Sequence, residues 1–358
     1  MELTQEQKYA IDGVTSLLKK GQKVIKIGGL AGVGKSFLIS KIIKKLPNWT
    51  VCAYTGKAAS VLRQKGVHAT TIHSLIYRPI IDAAGNVKKS GYGNPIFARV
   101  PSIDSEGIIV DEASMISRDL YDDLVSFGVP IIFVGDHGQL EPIGKDINLM
   151  ASPDFVLETI HRNAGEIARF CQFIRTGYRP AAFQPSFEGK VRFLSRWQAD
   201  AYLTQVDQII CAFNKTRVQI NRKVREKLGY RTGDNPEVGD RAICLRNNHE
   251  IGLFNGMQGT IKFLYTRRNR MHFRSDEGTL FDVVFDANNF NQDKYELDLR
   301  KDDPDPFDFA YAVTCHKFQG SEADRVMVFE QQTSRFDRVR WSYTAASRAR
   351  ELLYWVVM

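Results

Sequence analysis

Cysteine is scarce in this sequence, and its placement excludes two kinds of architecture. Five cysteines occur among 358 residues, at positions 52, 171, 211, 244 and 315. The number is odd, the positions are far apart, and neither a C-x-x-C pair nor a Cys/His cluster with zinc spacing occurs. The pattern argues against a disulfide framework or a zinc site, and it predicts reduced cytosolic thiols in or near hydrophobic cores.

Long uncharged apolar runs, solenoid-type repeats and low-complexity tracts are also absent from the sequence. The first seven residues are polar and acidic, without the pattern of a signal peptide. We therefore expect a cytoplasmic protein, in the host cytoplasm if the source is viral, with no membrane partner.

Acidic residues are outnumbered by basic ones, 41 to 49, which gives a formal net charge of +8. This balance favours a polyanionic partner such as nucleic acid, although many basic proteins bind none. The hydrophobic content of 43% and the charged content of 25% are those of an ordinary soluble protein. The length predicts two domains with room for small insertions.

The most informative segment is residues 29–36, GLAGVGKS, which fits the phosphate-binding pattern G-x-x-x-x-G-K-[ST]. Its glycines let backbone N–H groups approach phosphate oxygens, Lys35 places a cation near the β- and γ-phosphates, and Ser36 offers a hydroxyl to Mg²⁺. A β-prone run precedes the loop and a helical pattern ending before Pro47 follows it. The alternative is a glycine-rich turn before an ordinary helix.

Short apolar runs alternate with helical patterns, which predicts an α/β fold with parallel sheets. The runs at 108–110 and 131–134 end in Asp111-Glu112 and in Gly135-Asp136. Asp111 is a candidate magnesium ligand, and Glu112 is placed to orient and deprotonate an attacking water. Gln139, just beyond, is a candidate γ-phosphate contact. A solvent-facing acidic strand end is the alternative for the two acids.

A second α/β unit is predicted after about residue 160, with strands in 209–213, 326–329 and 352–357 and with Asn214 as a helix cap. Two insertions interrupt the units. Residues 79–101 are predicted to form a small hairpin or an exposed loop, and residues 232–309 a small β-barrel with a turn at Asn255-Gly256. Residues 301–306 are predicted to be a linker.

In order along the chain, these segments resemble the motifs of superfamily 1 helicases, especially the RecD-like and Dda-like group. Residues 3–7 resemble the Q motif, and 29–36, 53–59, 70–75, 111–115 and 135–142 resemble motifs I, Ia, Ib, II and III. Residues 157–162, 311–322 and 343–350 resemble motifs IV, V and VI. Motifs I, II, V and VI are the specific ones, and the likeness spans nearly the whole chain.

The resemblance implies two RecA-like P-loop motor domains, at 1–160 and at 161–231 plus 310–358, with a strand-separating pin at 79–101 and an SH3-like insertion at 232–309. It implies ATP and Mg²⁺ as cofactors. Implied nucleotide contacts are Gln7 as adenine reader, Gly32, Val33, Gly34, Lys35, Ser36, Phe37, Gly320 and Glu322. Arg162 is the implied γ-phosphate contact and Arg348 the implied arginine finger, where solvated surface arginines are the alternative.

The resemblance also implies a DNA track and places candidate contacts on it. The candidates are Thr55, Lys57, His73, Phe97, Asn214, Thr314, His316 and Lys317. The two histidines have core or capping roles as alternatives. Tyr92 and Phe97 are the aromatic residues of the implied pin, for which a surface loop with one buried aromatic is the alternative. The cluster 267–270 is either a phosphate contact or a solvated turn.

Three positions depart from the commonest motifs: Tyr54 in motif Ia, Glu141 in motif III and Ser347 in motif VI. None of them removes a charged catalytic group, but Glu141 weakens the DNA-facing role of motif III.

The resemblance implies an ATP-dependent helicase that moves 5′ to 3′ on single-stranded DNA and unwinds forked or tailed duplexes. We expect a monomer that can meet a single-stranded-DNA-binding protein or a replisome component. An ATP-regulated DNA-binding protein that does not unwind is the alternative, and a P-loop kinase does not explain motifs V and VI.

Overall fold

A computed structural model describes residues 2–81, 85, 88, 97–140, 147–159, 165–231, 233–246, 248, 251–265, 269–294, 304–331 and 336–357. The chain forms two compact units. The first comprises Met1–Arg78, Phe97–Glu188 and Ser334–Ser347, and the second comprises Pro79–Ile96, Gly189–Thr333 and Arg348–Met358. Within the described ranges, no helix has the length and apolar character that crossing a membrane requires.

The first unit is built on a six-stranded sheet in which the described strand pairs are all parallel. Its strands lie in the order β3-β2-β6-β7-β1-β8. They are β1 (Val24–Gly29), β2 (Trp49–Ala53), β3 (Ala69–Thr71), β6 (Gly107–Asp111), β7 (Ile131–Gly135) and β8 (Phe155–Leu157). Every residue of β6 and β7 is buried, as expected for central strands of a parallel sheet covered on both faces.

Seven helices belong to the described part of this unit. They are α1 (Gln5–Lys19), α2 (Lys35–Lys45), α3 (Gly56–Gln64), α4 (Ile72–Ile76), α5 (Arg118–Val125), α6 (Gly165–Arg175) and α9 (Arg338–Ala346). The strands β4 (Tyr77–Pro79) and β5 (Phe97–Arg99) pair as a separate two-stranded sheet at the start of the predicted hairpin. Most of the residues between β4 and β5, including Tyr92, lie outside the described residues.

The second unit contains a five-stranded sheet in the order β16-β10-β17-β18-β9, with parallel pairings throughout. Its strands are β9 (Val191–Ser195), β10 (Gln208–Cys211), β16 (Ala312–Thr314), β17 (Ala323–Phe329) and β18 (Ala349–Val357). Two helices, α7 (Arg196–Ala199) and α8 (Asn214–Lys227), belong to this unit in the part described. The mixed α/β fold with parallel sheets is therefore confirmed.

An antiparallel sheet of five strands, in the order β14-β13-β12-β11-β15, occupies the region predicted to be a β insertion. The strands are β11 (Arg241–Cys244), β12 (Gln258–Tyr265), β13 (Arg270–Ser275), β14 (Leu280–Val284) and β15 (Phe307–Phe309). Phe273, Phe290, Phe307 and Phe309 lie fully buried in its core. β15 pairs with β11, which brings the chain back toward the parallel sheet.

Buried polar contacts join α8 to this antiparallel sheet. The Arg225 Nε donates to Asp240 Oδ1 at 3.0 Å, and both residues are nearly inaccessible to solvent. Arg217 pairs with Asp308 in the same way. The Asn221 side chain accepts from the Ala312 N–H at 2.7 Å and so links α8 to the first residue of β16. One face of α8 therefore contacts both sheets of the second unit.

Two details of the structure differ from the sequence predictions. Asn214 is the first residue of α8 and not its cap, because Phe213 precedes it in the capping position and the Asn214 Oδ1 accepts from Arg217 Nε at 3.3 Å. The helices α6 and α9 lie in the first unit, because they pack against each other and α9 contacts loops of the first sheet. The compact units thus divide the chain differently from the predicted boundaries, and the assignment of motor domains stays a prediction.

Candidate active site

The phosphate-type loop lies between β1 and α2, at the carboxyl end of a central strand. Gly32 and Gly34 have φ values of 81° and 82°, a left-handed conformation that glycine adopts at little cost. The helix α2 begins at Lys35, directly after the loop, with Ser36 and Phe37 in its first turn. Free N–H groups at the start of a helix attract anions, so the local structure suits a phosphate.

Lys35 lies inside the curve of this loop. Its Nζ donates to the carbonyl oxygens of Gly29 at 2.9 Å and Leu30 at 3.0 Å, and it lies 3.9 Å from Asp136 Oδ2. Only 13% of the side chain is exposed. The ammonium group is therefore held at the loop by neighbours that balance its charge.

The two predicted acids lie at the end of β6, two strands from β1. Burial and the neighbouring Glu112 carboxylate raise the pKa of Asp111 to about 7. The Asp111 Oδ1 accepts a hydrogen bond of 3.0 Å from the Glu112 N–H. Because a nearby cation would favour the charged form, this carboxyl suits a site where positive charge is bound.

Glu112 combines backbone strain with an unsatisfied side-chain atom. Its φ of 56° lies in the left-handed region, which costs free energy in a residue other than glycine and is typical of functional sites. Its Oε2 is buried and has no hydrogen-bond partner among the described residues. A buried acceptor of this kind is suited to receive a proton or to hold a water molecule.

Asp136, which follows β7, collects hydrogen bonds from three groups of the first unit. Its carboxylate accepts from the Gly138 N–H at 2.9 Å, from Gln139 Nε2 at 3.2 Å and from the Tyr343 hydroxyl at 2.8 Å. Because β7 is the neighbour of β1, these contacts lie next to Lys35. Gln139 is thereby fixed near the loop, and within the described part of the chain its buried Oε1 has no hydrogen-bond partner.

The helix α9 contacts both loops of this site. The Tyr343 hydroxyl accepts from the Ala31 N–H of the phosphate loop at 2.7 Å and also donates to Asp136. The Thr344 Oγ1 accepts from the Leu140 N–H at 2.9 Å. In the sequence Asp136 was named only as the end of a strand and Tyr343 was given no role, although both lie in segments that resemble helicase motifs.

Gln7 is buried beside the phosphate loop. Its Nε2 donates to the Val33 carbonyl oxygen at 3.0 Å, and its Oε1 accepts from the Thr4 N–H at 3.0 Å as part of a capping box at the start of α1. The side chain thus joins α1 to the loop. Its role as adenine reader stays a prediction.

Ser36 and Asp111 are the predicted magnesium ligands, and together they supply one hydroxyl and one carboxylate. In the described part of the chain, no group of three or more His, Cys, Asp or Glu residues is arranged to hold a metal ion. Mg²⁺ usually keeps several waters and takes one or two carboxylates together with substrate phosphates. The two residues therefore fit a magnesium ion that arrives with a nucleotide, and do not form a metal site by themselves.

In the second unit, Arg348 belongs to the segment that resembles motif VI. It is 3% exposed, and its Nη1 donates to the Ser321 carbonyl oxygen at 3.3 Å. Gly320, next to Ser321, has a φ of 71°, and Glu322 is the second residue after it. The structure thus brings Arg348 together with the segment that contains Gly320 and Glu322. Arg162 lies outside the described residues.

The predicted DNA contacts of the first unit occupy different elements. The Thr55 hydroxyl caps α3 by accepting from the Ala58 N–H at 3.1 Å, so it has a structural role in the helix. His73 is exposed on α4, with its ring 5.6 Å from that of Tyr77. Phe97 begins β5. The Lys57 side chain lies outside what the structure describes.

In the second unit, four predicted DNA contacts lie at one end of neighbouring strands. Asn214 follows β10 and Thr314 ends β16, and the two strands pair with Cys211 opposite Thr314. His316 and Lys317 follow Thr314 after one intervening residue, and the Lys317 Nζ donates to Asn255 Oδ1 at 2.9 Å. This contact places the predicted Asn255-Gly256 turn of the antiparallel sheet beside a predicted phosphate contact.

Comparison with known protein families shows to which family the chain belongs. The family described as "AAA domain" matches residues 2–192, more than half of the sequence. The chain belongs to the AAA domain family. A second family, described as "UvrD-like helicase C-terminal domain", matches residues 309–356, which include β16, β17, α9 and β18. Together with the relatives below, these matches confirm the resemblance to superfamily 1 helicases of the RecD and Pif1 type.

The conjugal transfer protein TraA of Rhizobium radiobacter is 26% identical over 391 residues, covering 98% of this chain and 32% of the relative. The RecBCD enzyme subunit RecD of Mycolicibacterium smegmatis is 23% identical over 397 residues, covering 90% of this chain and 66% of the relative. The chain thus spans about a third of the length of the conjugal transfer proteins that it matches.

Among solved structures, a Pif1 helicase described in the context of unwinding forked double-stranded DNA has a TM-score of 0.60 and 21% sequence identity. The match covers 100% of this chain and 92% of that one. At this identity the likeness concerns the fold, and it supports the mixed α/β architecture with parallel sheets. Membership of the family indicates that the loop at residues 29–36 binds a nucleotide.

Proposed function

We propose that the protein is an ATP- and Mg²⁺-dependent DNA helicase that moves 5′ to 3′ on single-stranded DNA. The observation that carries the proposal is the cluster around Lys35, in which a phosphate loop, an acidic strand end and Gln139 meet at the carboxyl ends of β1, β6 and β7. Glu112 and Gln139 each have a buried acceptor that no described residue satisfies, and this supports a hydrolytic site, since a water molecule would satisfy them.

In this proposal, the loop amides and Lys35 bind the phosphates of ATP, and Ser36 and Asp111 hold Mg²⁺. The bound ion would neutralise charge that develops on the phosphates during hydrolysis. Glu112 orients the attacking water and accepts its proton through Oε2, and Gln139 senses the phosphate end of the nucleotide. Gly32, Val33, Gly34 and Phe37 line the nucleotide, and Gln7 reads adenine.

The coupling of hydrolysis to movement rests on the resemblance of residues 311–322 and 343–350 to motifs V and VI. Arg348 and Arg162 are proposed to stabilise the transition-state charge, a contribution of roughly 10³ to 10⁵ in rate in related NTPases. Gly320 and Glu322 belong to the same proposed nucleotide site. Nucleotide-dependent closure of two motor domains, followed by release after hydrolysis, would move the protein along a strand.

Single-stranded DNA is the proposed track, with Thr55, Lys57 and His73 on one motor domain and Asn214, Thr314, His316 and Lys317 on the other. The excess of basic residues supports a phosphate-rich partner. The antiparallel sheet is proposed to be an SH3-like module that braces a pin formed by residues 79–101. Polarity follows from the likeness to the RecD-like and Dda-like group. We further propose a monomer located in the cytoplasm.

Strand displacement with 5′-tailed and 3′-tailed duplexes tests this function. We expect ATP-dependent unwinding from the 5′ tail, together with ATP hydrolysis that single-stranded DNA stimulates. Unwinding from the 3′ tail alone would overturn the polarity, and hydrolysis indifferent to DNA would contradict a motor. DNA binding that responds to ATP without unwinding would instead identify a remodelling protein.

Lys35→Ala is expected to abolish hydrolysis, because the phosphates lose their cation. The matched control is Lys44→Ala, which removes an exposed lysine from the same helix. Persistent hydrolysis in the Lys35 variant would contradict the assigned site.

A further inference from the structure

The Tyr343 hydroxyl joins two parts of the candidate active site that are far apart in the sequence. It accepts from the Ala31 N–H at 2.7 Å and donates to Asp136 Oδ2 at 2.8 Å. Both Tyr343 and Asp136 are 1% exposed. We infer that Tyr343 is a positioning residue for the phosphate loop, acting through the Ala31 amide and through Asp136 on Lys35. The inference rests on the proposed nucleotide site.

The negative charge of the Asp136 carboxylate has to be compensated at this place. Asp136 lies 3.9 Å from Lys35, the cation that would meet a phosphate, so its negative charge competes with the phosphate for the ammonium group. Hydrogen bonds from Tyr343, Gln139 and Gly138 share that negative charge. The tyrosine hydroxyl thus reduces the hold of Asp136 on Lys35.

The position of the hydroxyl is fixed by its helix. Next to Tyr343 on α9, the Thr344 Oγ1 accepts a hydrogen bond of 2.9 Å from the Leu140 N–H. One turn earlier, the Arg340 Nη1 donates a hydrogen bond of 3.4 Å to the Gln139 carbonyl oxygen. The Arg175 guanidinium lies 6.0 Å from the centre of the Tyr343 ring. These contacts hold α9 against the loop after β7, so the hydroxyl is placed with little freedom.

A purely structural tyrosine would act through its ring, and phenylalanine would replace it without consequence. Here Tyr343→Phe keeps the ring but leaves the Ala31 N–H without its acceptor and removes one donor from Asp136. Hydrogen bonds to buried charged groups contribute more than neutral ones. We therefore expect Asp136 to attract Lys35 more strongly in the variant, and the loop to bind phosphate less well.

The first experiment uses the nucleotide-free protein and so does not depend on activity. Hydrogen–deuterium exchange is measured on a peptide that covers residues 29–36. Tyr343→Phe is expected to speed exchange in this peptide, since the Ala31 amide loses its partner. The matched control, Tyr354→Phe, removes a hydroxyl from another buried tyrosine in the second unit and should leave the peptide unchanged.

The second experiment measures ADP affinity in EDTA, so that no divalent ion takes part. Tyr343→Phe is expected to raise the dissociation constant about 10-fold. Asp136→Asn is expected to lower the constant a few-fold, because the competing charge is gone. In the Asp136→Asn background the tyrosine substitution should have a smaller effect, because only the loss of its contact with Ala31 remains, and such non-additivity is the signature of coupled residues.

Unchanged loop exchange and ADP affinity in Tyr343→Phe would overturn the inference, as would additive effects in the double variant. If Tyr343→Phe did not fold, unchanged ADP affinity in Asp136→Asn would overturn it instead. A wild-type protein that binds ADP and shows the expected coupling but hydrolyses no ATP would contradict the proposed function and leave the role of Tyr343 supported.

Discussion

Gln7 and Val33 are joined by a buried hydrogen bond of 3.0 Å, from the side-chain amide of the first helix to a carbonyl oxygen of the phosphate loop. The same side chain closes the capping box at the start of α1. Gln7 therefore has two structural roles, since both the start of α1 and the shape of the phosphate loop depend on its side chain. A contact with adenine would be a third.

Gln7→Ala is expected to lower the free energy of unfolding of the first unit by about 1–3 kcal/mol, because the Thr4 N–H loses its acceptor in the capping box and the buried Val33 carbonyl oxygen loses its donor. Chemical denaturation without nucleotide measures this effect. Gln5→Ala is the control, as Gln5 is exposed in the same helix. If Gln7 also reads adenine, its loss reduces the preference for ATP over GTP, whereas an unchanged preference would leave it a structural residue only.

Glu112→Gln is expected to lower the rate of ATP hydrolysis by about 10²- to 10⁴-fold while nucleotide binding persists. The amide keeps the size of the side chain but cannot accept the proton of the attacking water. Single-turnover hydrolysis and nucleotide titration measure the two properties separately. Glu226→Gln, at an exposed position of α8, is the control, and a variant with near-normal hydrolysis would exclude Glu112 as the base.

Asp111 makes stability depend on pH in a defined direction. Burial and Glu112 raise its pKa from 3.8 to about 7, so the folded protein retains a proton that the unfolded chain has lost over this range. The contribution of Asp111 to stability is therefore fully present below about pH 4 and is lost as the pH rises through about 7.

Asp111→Asn removes this dependence because the amide does not titrate. In nucleotide-free protein, the melting temperature of the variant should rise relative to that of the wild type between pH 4 and pH 8. Thermal melts across that range measure the difference. A difference that does not change with pH would show that Asp111 has no raised pKa in the folded protein.

The sequence predicted those parts of the site that depend on neighbouring residues in the chain. Residues 29–36 carry their own conformation, since the glycines permit the left-handed turns and the strand and helix on either side follow from apolar spacing. Asp111 and Glu112 were found for the same reason, because they directly end a buried strand.

The contacts of Tyr343 were beyond prediction from the sequence because they depend on how α9 packs. Its partner Asp136 lies 207 positions earlier, and no periodicity relates the two. Asn214 is a smaller example of a contact that could not be predicted from the sequence. It was predicted as a helix cap from its residue type, but its side chain accepts from Arg217 and the helix begins one residue earlier than expected.

Phe97→Ala tests the proposed pin. If Phe97 stacks on the first base pair, its loss should impair duplex unwinding more than translocation on single-stranded DNA. Parallel assays of strand displacement and of translocation measure the two rates. Phe187→Ala removes a fully exposed aromatic side chain of the same unit as a control. Equal loss in both assays would refute the role of Phe97 in strand separation.

Arg225 and Arg222 offer a matched pair of salt bridges on one helix. Arg225 pairs with Asp240 at 3.0 Å, with side chains that are 3% and 0% exposed. Arg222 pairs with Asp234 at 2.8 Å, with side chains that are 58% and 31% exposed. Both are bonds from arginine to aspartate, but Arg225 also donates to the Gly233 and Asn235 carbonyl oxygens, so the comparison sets a buried network against a partly exposed pair.

Arg225→Ala should lower the free energy of unfolding by about 3–5 kcal/mol, because the buried Asp240 would lose its cationic partner. Arg222→Ala should cost about 0–1 kcal/mol, because water solvates the exposed Asp234. Urea denaturation of each variant measures the difference. Similar costs for the two variants would mean that other groups stabilise Asp240 when Arg225 is absent. Two donors to its carboxylate would remain, the Tyr311 hydroxyl at 2.8 Å and the Glu237 N–H.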